Sequence, residues 1–192
     1  DWTFSQNSGD YEIKTLTVMV HPGPTPIGLM INLESPDSHQ IVQRNEYSMG
    51  SFPVQGSTDY SADLIEGRYT SLEDEVPSDW VSVAVPIGSN FYGTLDVPTG
   101  WHRLEFRLIG DGQPIDTITV EPVGVGEVFI VAGQSNSANH GDYPLAPADP
   151  RVSSWGPSDW RFGQDPQPAA TGNGGSPWPA LGDLLANRYD VP

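Results

Sequence analysis

The chain has 192 residues, with one Lys and seven Arg against 25 Asp plus Glu, a net charge of −17 and no cysteine. Such a balance disfavours binding to nucleic acid or to an anionic membrane, both of which need clustered cations. The missing thiols exclude disulfides and thiolate metal sites, and no apolar run approaches the ~18 residues that span a bilayer.

Hydrophobic residues make up 36% of the chain, and 21 Gly with 19 Pro favour strands and loops over long helices. The acidic residues are dispersed, so no acidic tail is indicated, and a solvated acidic surface would suit a salty habitat. Residues 12–20 carry apolar residues at Leu16, Val18 and Val20 after Ile13, the pattern of a half-buried strand, followed by a Pro/Gly-rich loop at 21–28. Further strands are expected at 27–33, 40–44, 50–54 and 61–69. Another is expected at 80–85, where Val81, Val83 and Val85 alternate with small or polar residues. Residues 91–97 follow a Gly88-Ser89-Asn90 turn, 101–108 alternate throughout, and a Gly110-Asp111-Gly112 turn leads into 115–120. Strands at about 8–12-residue spacing with turn signals between them suggest an antiparallel β-sandwich.

At Pro122 and Gly124 the pattern changes from alternating to continuous apolar, so a domain boundary is expected near 122. Residues 1–122 form the β-sandwich and 123–192 a second unit packed closely against it. Val128, Phe129, Ile130, Val131 and Ala132 are apolar without a break, which is the pattern of a parallel strand covered on both faces. The run ends at Gly133 and continues Gln134-Ser135-Asn136. A serine there would stand at the carboxyl edge of a sheet, where open α/β folds bind ligands.

Gly133-Gln134-Ser135-Asn136 after Val123-Gly124-Val125-Gly126-Glu127-Val128-Phe129 resembles the first sequence block of the SGNH hydrolases, in their sialate O-acetylesterase-like branch. The segments 40–45, 52–56 and 100–105 are similar to stretches of the same branch. The resemblance implies an α/β/α, flavodoxin-like hydrolase domain begun at 123 and placed after the sandwich. It implies a secreted or periplasmic carbohydrate esterase that removes O-acetyl groups from sugars through an acyl-enzyme. Ser135 would be the nucleophile and would lend its own N–H to the oxyanion hole, with Gly133, Gln134 and Asn136 completing the motif and Asn136 shaping the turn. No cofactor or metal is implied.

A long irregular segment follows at 141–175, and its Trp155, Trp160 and Phe162 argue against disorder. Trp155 and Trp160 would either line a sugar cleft or cover the sheet and the domain interface. His140, five residues past Ser135, would either enter the pocket or remain a solvated loop histidine. Gly175, in the Gly174-Gly175-Ser176 turn, would approach substrate or only shape the turn. Asp142, His140 and Asp149 lie close in sequence without a recognisable metal spacing. Residues 176–189 read as a helix with Ser176 as N-cap and Pro177 at its first position; Trp178, Leu181 and Leu185 share one face.

SGNH hydrolases supply the base from a late Asp-x-x-His block, and this chain contains none. The chain is therefore expected to be part of a hydrolase that cannot catalyse alone. A companion chain or continuation would carry the Asp-x-x-His half, and a large apolar surface would lie exposed around 128–132 and 181–185 in its absence. The chain opens on Asp1 rather than Met, which points to an amino end removed or processed. The alternative to the esterase is a noncatalytic β-sandwich that binds carbohydrate or packs against other domains, with an incomplete hydrolase segment.

Overall fold

A computed structural model describes residues 30–192; the strand expected at 12–20 and the loop at 21–28 lie outside the described residues. Eight strands build two sheets. One holds β1 (Ile31–Ser35), β3 (Met49–Thr58) and β6 (Asn90–Pro98) in the order β1-β3-β6. The other runs β2-β8-β7-β4-β5, with β2 (Ile41–Gln43), β4 (Leu64–Ser71), β5 (Val81–Ala84), β7 (Gly100–Gly110) and β8 (Gln113–Gly126).

The strands form where alternation is strongest. In β7, His102, Leu104, Phe106 and Leu108 point inward, and Arg103, Glu105 and Arg107 stand on the other face. In β3 and β6 the inward residues are Phe52 and Val54 opposite Leu95 and Gly93, with Phe91 opposite Gly56. These inward faces meet in one core that also includes Ile31, Ile65, Ala84, Val123 and Val125. Burial of this kind contributes about 25 cal/mol per Å² of apolar surface removed from water. On the outer face of the second sheet, directly opposed residues pair as ions: Arg68 with Glu105 at 2.8 Å and Arg107 with Glu66 at 2.6 Å. Both guanidinium groups lie over the ring of Trp80, at 4.5 and 4.2 Å from its centroid.

The structure corrects the expected fold class. The described chain is mostly β, with a single α-helix, and no α/β/α hydrolase sheet begins at 123. The second sheet is also mixed rather than antiparallel, because β2 pairs parallel with β8 through Ile41–Gly124, Val42–Val125 and Gln43–Gly126. β8 carries across the boundary expected near 122, and Val123 and Val125 are core residues of the two-sheet body.

β5 corrects a second expectation. Val81 and Val85 are exposed and Ala84 is the buried residue. The pairing with β4 shifts between Ile65–Ala84 and Glu66–Ser82. The extra residue in β5 brings Ala84 inward where strict alternation would have placed Val85, while Val81, opposite Gly67, is exposed on the edge strand.

His102 is 2% exposed. Its Nε2 lies 2.8 Å from the Pro98 carbonyl, so that nitrogen carries the proton and donates, and its Nδ1 is buried without a partner. Burial pushes this imidazole below its ordinary value, against smaller upward effects from Pro98, Asp74 and Thr99. The unfolded chain therefore binds a proton here before the folded chain does. The stabilisation is complete above about pH 6.5 and is lost as pH falls from there through the lower folded value. Thermal melting from pH 7.5 to pH 4.5 is expected to show a steeper acid decline in the wild type than in His102→Gln; equal slopes would show that His102 does not couple to folding.

Candidate functional site

After β8 the chain enters the stretch read as a buried parallel strand, and no strand forms there. The Glu127 N–H donates to the Pro192 carbonyl at 3.0 Å, and the Val128 N–H donates to Gln43 Oε1 at 2.8 Å. The side chain of Glu127 is held by Gln43 and Arg44, which keep its carboxyl below the ordinary range. Beyond that point residues 129–132 have no ladder partner among the described residues. Val128, Phe129, Val131 and above all Ile130, at 98%, are exposed.

The reason lies in β2. It ends at Gln43, the Arg44 N–H closes the ladder on the Gly126 carbonyl at 2.8 Å, and Asn45 then turns the chain into β3. A continuous apolar run becomes a buried strand only where flanking strands meet its main-chain donors and acceptors.

Ser135 opens a short 3-10 turn, Ser135–Ala138, and is exposed. Gly133 is required just before it, since a Cβ there would lie 2.2 Å from Ser137 Oγ. The Gln134 carbonyl accepts the Ser137 N–H at 2.7 Å. The Ser135 carbonyl accepts the N–H groups of Asn139 and His140. His140 thus reaches Ser135 through its main chain, at 3.1 Å, and its ring is exposed. Asn136 is exposed too, and the residue that shapes the turn is Asn139, in the left-handed region at φ 58° and ψ 34°.

The long segment after Asn139 is ordered by buried polar groups. The Asp165 carboxylate accepts from the N–H of Leu145 at 3.1 Å, the N–H of Ser176 at 2.7 Å, the Ser176 hydroxyl at 2.6 Å and the Gln167 amide at 3.0 Å. Burial pushes this carboxyl up, and the hydrogen bonds from Ser176, Gln167 and Leu145 outweigh that and hold it below the ordinary range. Within the segment, β9 (Ser153–Trp155) pairs antiparallel with β10 (Trp160–Phe162), with Trp155 opposite Trp160.

Gly175 is buried, and both its N–H and its carbonyl are bonded to Gly141 at 2.9 Å. Its N–H is therefore not free for a substrate. A Cβ on Gly175 would lie 1.8 Å from the Tyr143 carbonyl oxygen. Gly175→Ala is expected to destabilise this segment by about 1–3 kcal/mol, as overpacking does. Faster amide hydrogen exchange across 139–176 would show it; unchanged exchange would mean that the backbone crossing relaxes freely.

α1 (Trp178–Tyr189) starts after Pro177, one position later than expected, with Pro179 in its first turn. The Ser176 hydroxyl accepts the Trp178 N–H at 3.3 Å while donating to Asp165. Trp178 ties the helix to the serine turn, its indole N–H donating to the Ser137 carbonyl at 2.9 Å. The helix ends at Asp190, whose N–H donates to Ala186, and Arg188 in the last turn complements the helix dipole. Leu181, Leu184 and Tyr189 are exposed, Leu184 at 67%.

A groove of about 720 Å³ lies between residues 127–131, α1 and the segment 151–170. Trp155 and Trp160 line it, together with Phe129, Trp178, Leu185 and Tyr189. Ser137 reaches it, and Ser135 does not line it. The two tryptophans therefore belong to this apolar groove and are not gathered around the serine.

Asp149 is engaged by Arg151, which holds its carboxyl below the ordinary range, and Arg151 also reaches Asp190. Among the described residues no three His, Asp or Glu side chains gather as a metal site would need. The sequence alone does not mark Asn139 and Asp165 as site residues. Their signals there are slight: an Asn just before His-Gly, and an Asp before Pro in a polar loop.

In comparisons with known proteins, no family model and no curated protein matches the chain.

Proposed function

We propose that the chain carries the nucleophile of a carbohydrate O-acetylesterase of the SGNH type, with Ser135 as the acyl acceptor. The observation that supports it most is the presentation of Ser135. It is an exposed serine on the first residue of a tight turn whose preceding glycine and following asparagine are both sterically specified. The Ser135 oxygen attacks the ester carbonyl, the sugar hydroxyl leaves with the serine's proton, and water then releases acetate from the acyl-enzyme.

The base that moves this proton comes from a companion chain or continuation bearing an Asp-x-x-His. His102 is buried in the β-body, and His140 is an exposed residue whose ring has no hydrogen bond among the described residues. The exposed apolar residues of 128–131 and α1 that border the groove suit a covering partner of this kind. Trp80, beside β5, already carries two guanidinium groups over its ring and is not free to stack a sugar, so a noncatalytic, sugar-binding reading would rest on Trp155 and Trp160 in the apolar groove.

Treating the protein, as isolated with all its chains, with a fluorophosphonate is the direct test. A covalent adduct on the peptide containing Ser135 supports the reading, since only an activated serine reacts at a useful rate. Acetate release from acetylated polysaccharide with no adduct at Ser135 would place the nucleophile elsewhere.

A further inference from the structure

We infer that Asn139 is the positioning residue of the Ser135 site; the inference rests on the esterase reading above. Asn139 is 1% exposed and holds a left-handed backbone, which few residues other than Gly, Asn and Asp adopt readily. Its side chain pairs with both main-chain groups of Gln167, as a strand neighbour would, and also reaches Ala170. Oδ1 accepts the Gln167 N–H at 2.6 Å, and Nδ2 donates to the Gln167 carbonyl at 2.9 Å and to that of Ala170 at 3.5 Å.

The main chain of Asn139 works in two further directions. Its N–H donates to the Ser135 carbonyl, and its carbonyl accepts the Gly174 N–H at 2.7 Å. One residue thus joins the carbonyl of the serine to three points of the loop that leads into α1. Each neighbouring choice loses part of this. Glycine keeps the backbone and loses the amide. Aspartate keeps the acceptor and turns a second oxygen toward the Gln167 carbonyl, where a donor is required.

A nucleophile held by such an anchor reacts at the rate its placement allows. Attack needs the reacting atoms about 3–3.5 Å apart and aligned, and a shift of about 1 Å costs on the order of 10²-fold. Asn139 touches no reacting atom; it acts through the turn, so its loss should fall on turnover and not on substrate binding.

The test compares wild type, Asn139→Gly, Asn139→Asp and Ser135→Ala, each as the full natural protein, on an acetylated polysaccharide. Both Asn139 variants are expected to lose about 10- to 100-fold in kcat with KM within about threefold of wild type. The thermal melt of the strand core should not move, because the hydrogen-bond partners of Asn139, namely Ser135, Gln167, Ala170 and Gly174, all lie outside that core. A kcat within about threefold of wild type in Asn139→Gly overturns the inference. So does a loss matched by a melting temperature that falls below the assay temperature in both variants, which would make the role structural. Full turnover in Ser135→Ala is a different failure: it removes the esterase reading, and the inference with it, whatever Asn139 does.

Discussion

Ser135→Ala is expected to lower turnover of acetylated carbohydrate by on the order of 10⁶-fold in the complete protein, as removal of the nucleophile does in a serine hydrolase. The fold should not change. Ser135 is exposed, and its contributions to the turn come from its carbonyl, which an alanine supplies equally well. Melting temperature and the circular dichroism of the β-body should match wild type, which separates a chemical loss from a folding loss. The substitution should also abolish the fluorophosphonate adduct. Turnover within about tenfold of wild type would show that another group attacks the ester. Asn136→Ala is expected to cost much less, because Asn136 is exposed and the turn is held from Gly133, Asn139 and Trp178.

Phe106→Ala is expected to remove about 3–5 kcal/mol of stability, the usual cost of deleting a buried aromatic ring. That is a large share of the ~5–15 kcal/mol available to a domain. Phe106 is 0% exposed and sits in β7, between β8 and β4. Its cross-strand partner is Gly67, and the ring lies over that glycine, 3.1 Å from where a Cβ would stand. Alanine cannot refill the space, because Gly67 has no side chain to move into it. Denaturant titration should show the midpoint falling at an unchanged slope. A loss under about 1 kcal/mol would mean that the two sheets close over the gap. The loss should act on the whole β-body, since Phe106 shares one core with residues of both sheets.

Much of the β-body is legible in the residue pattern. The alternation of Leu104, Phe106 and Leu108 with Glu105 and Arg107 makes one face apolar and one charged in any strand, whatever its neighbours. The turns at Gly88 and Gly112 take positive φ, at 63° and 70°, as glycine allows. The Gly-Gln-Ser-Asn turn is legible for the same local reason, because Gly133 is the residue that tolerates Ser137 so near. The sequence does not carry its partners in the same way. Val81 and Val85 alternate as buried residues would, yet an irregularity against β4 brings Ala84 inward in place of Val85, and Val81 is exposed on the edge strand.

The stretch 128–132 is the clearest case. Its composition describes an environment, two covered faces, and among the described residues that environment is not supplied: β2 stops at Gln43, and Ile130 stands 98% exposed. Asn139 is the converse. Its local sequence marks it only slightly, and it becomes the anchor of the serine turn because Gln167, Ala170 and Gly174, distant in the chain, bring their peptide groups to it. Strand period, turn chemistry and the exposed serine follow from short-range sterics and were set by the sequence alone. Which strand pairs with which, which face turns inward and what holds Ser135 in place depend on hydrogen-bond partners far away in the chain, and only the tertiary structure decided them.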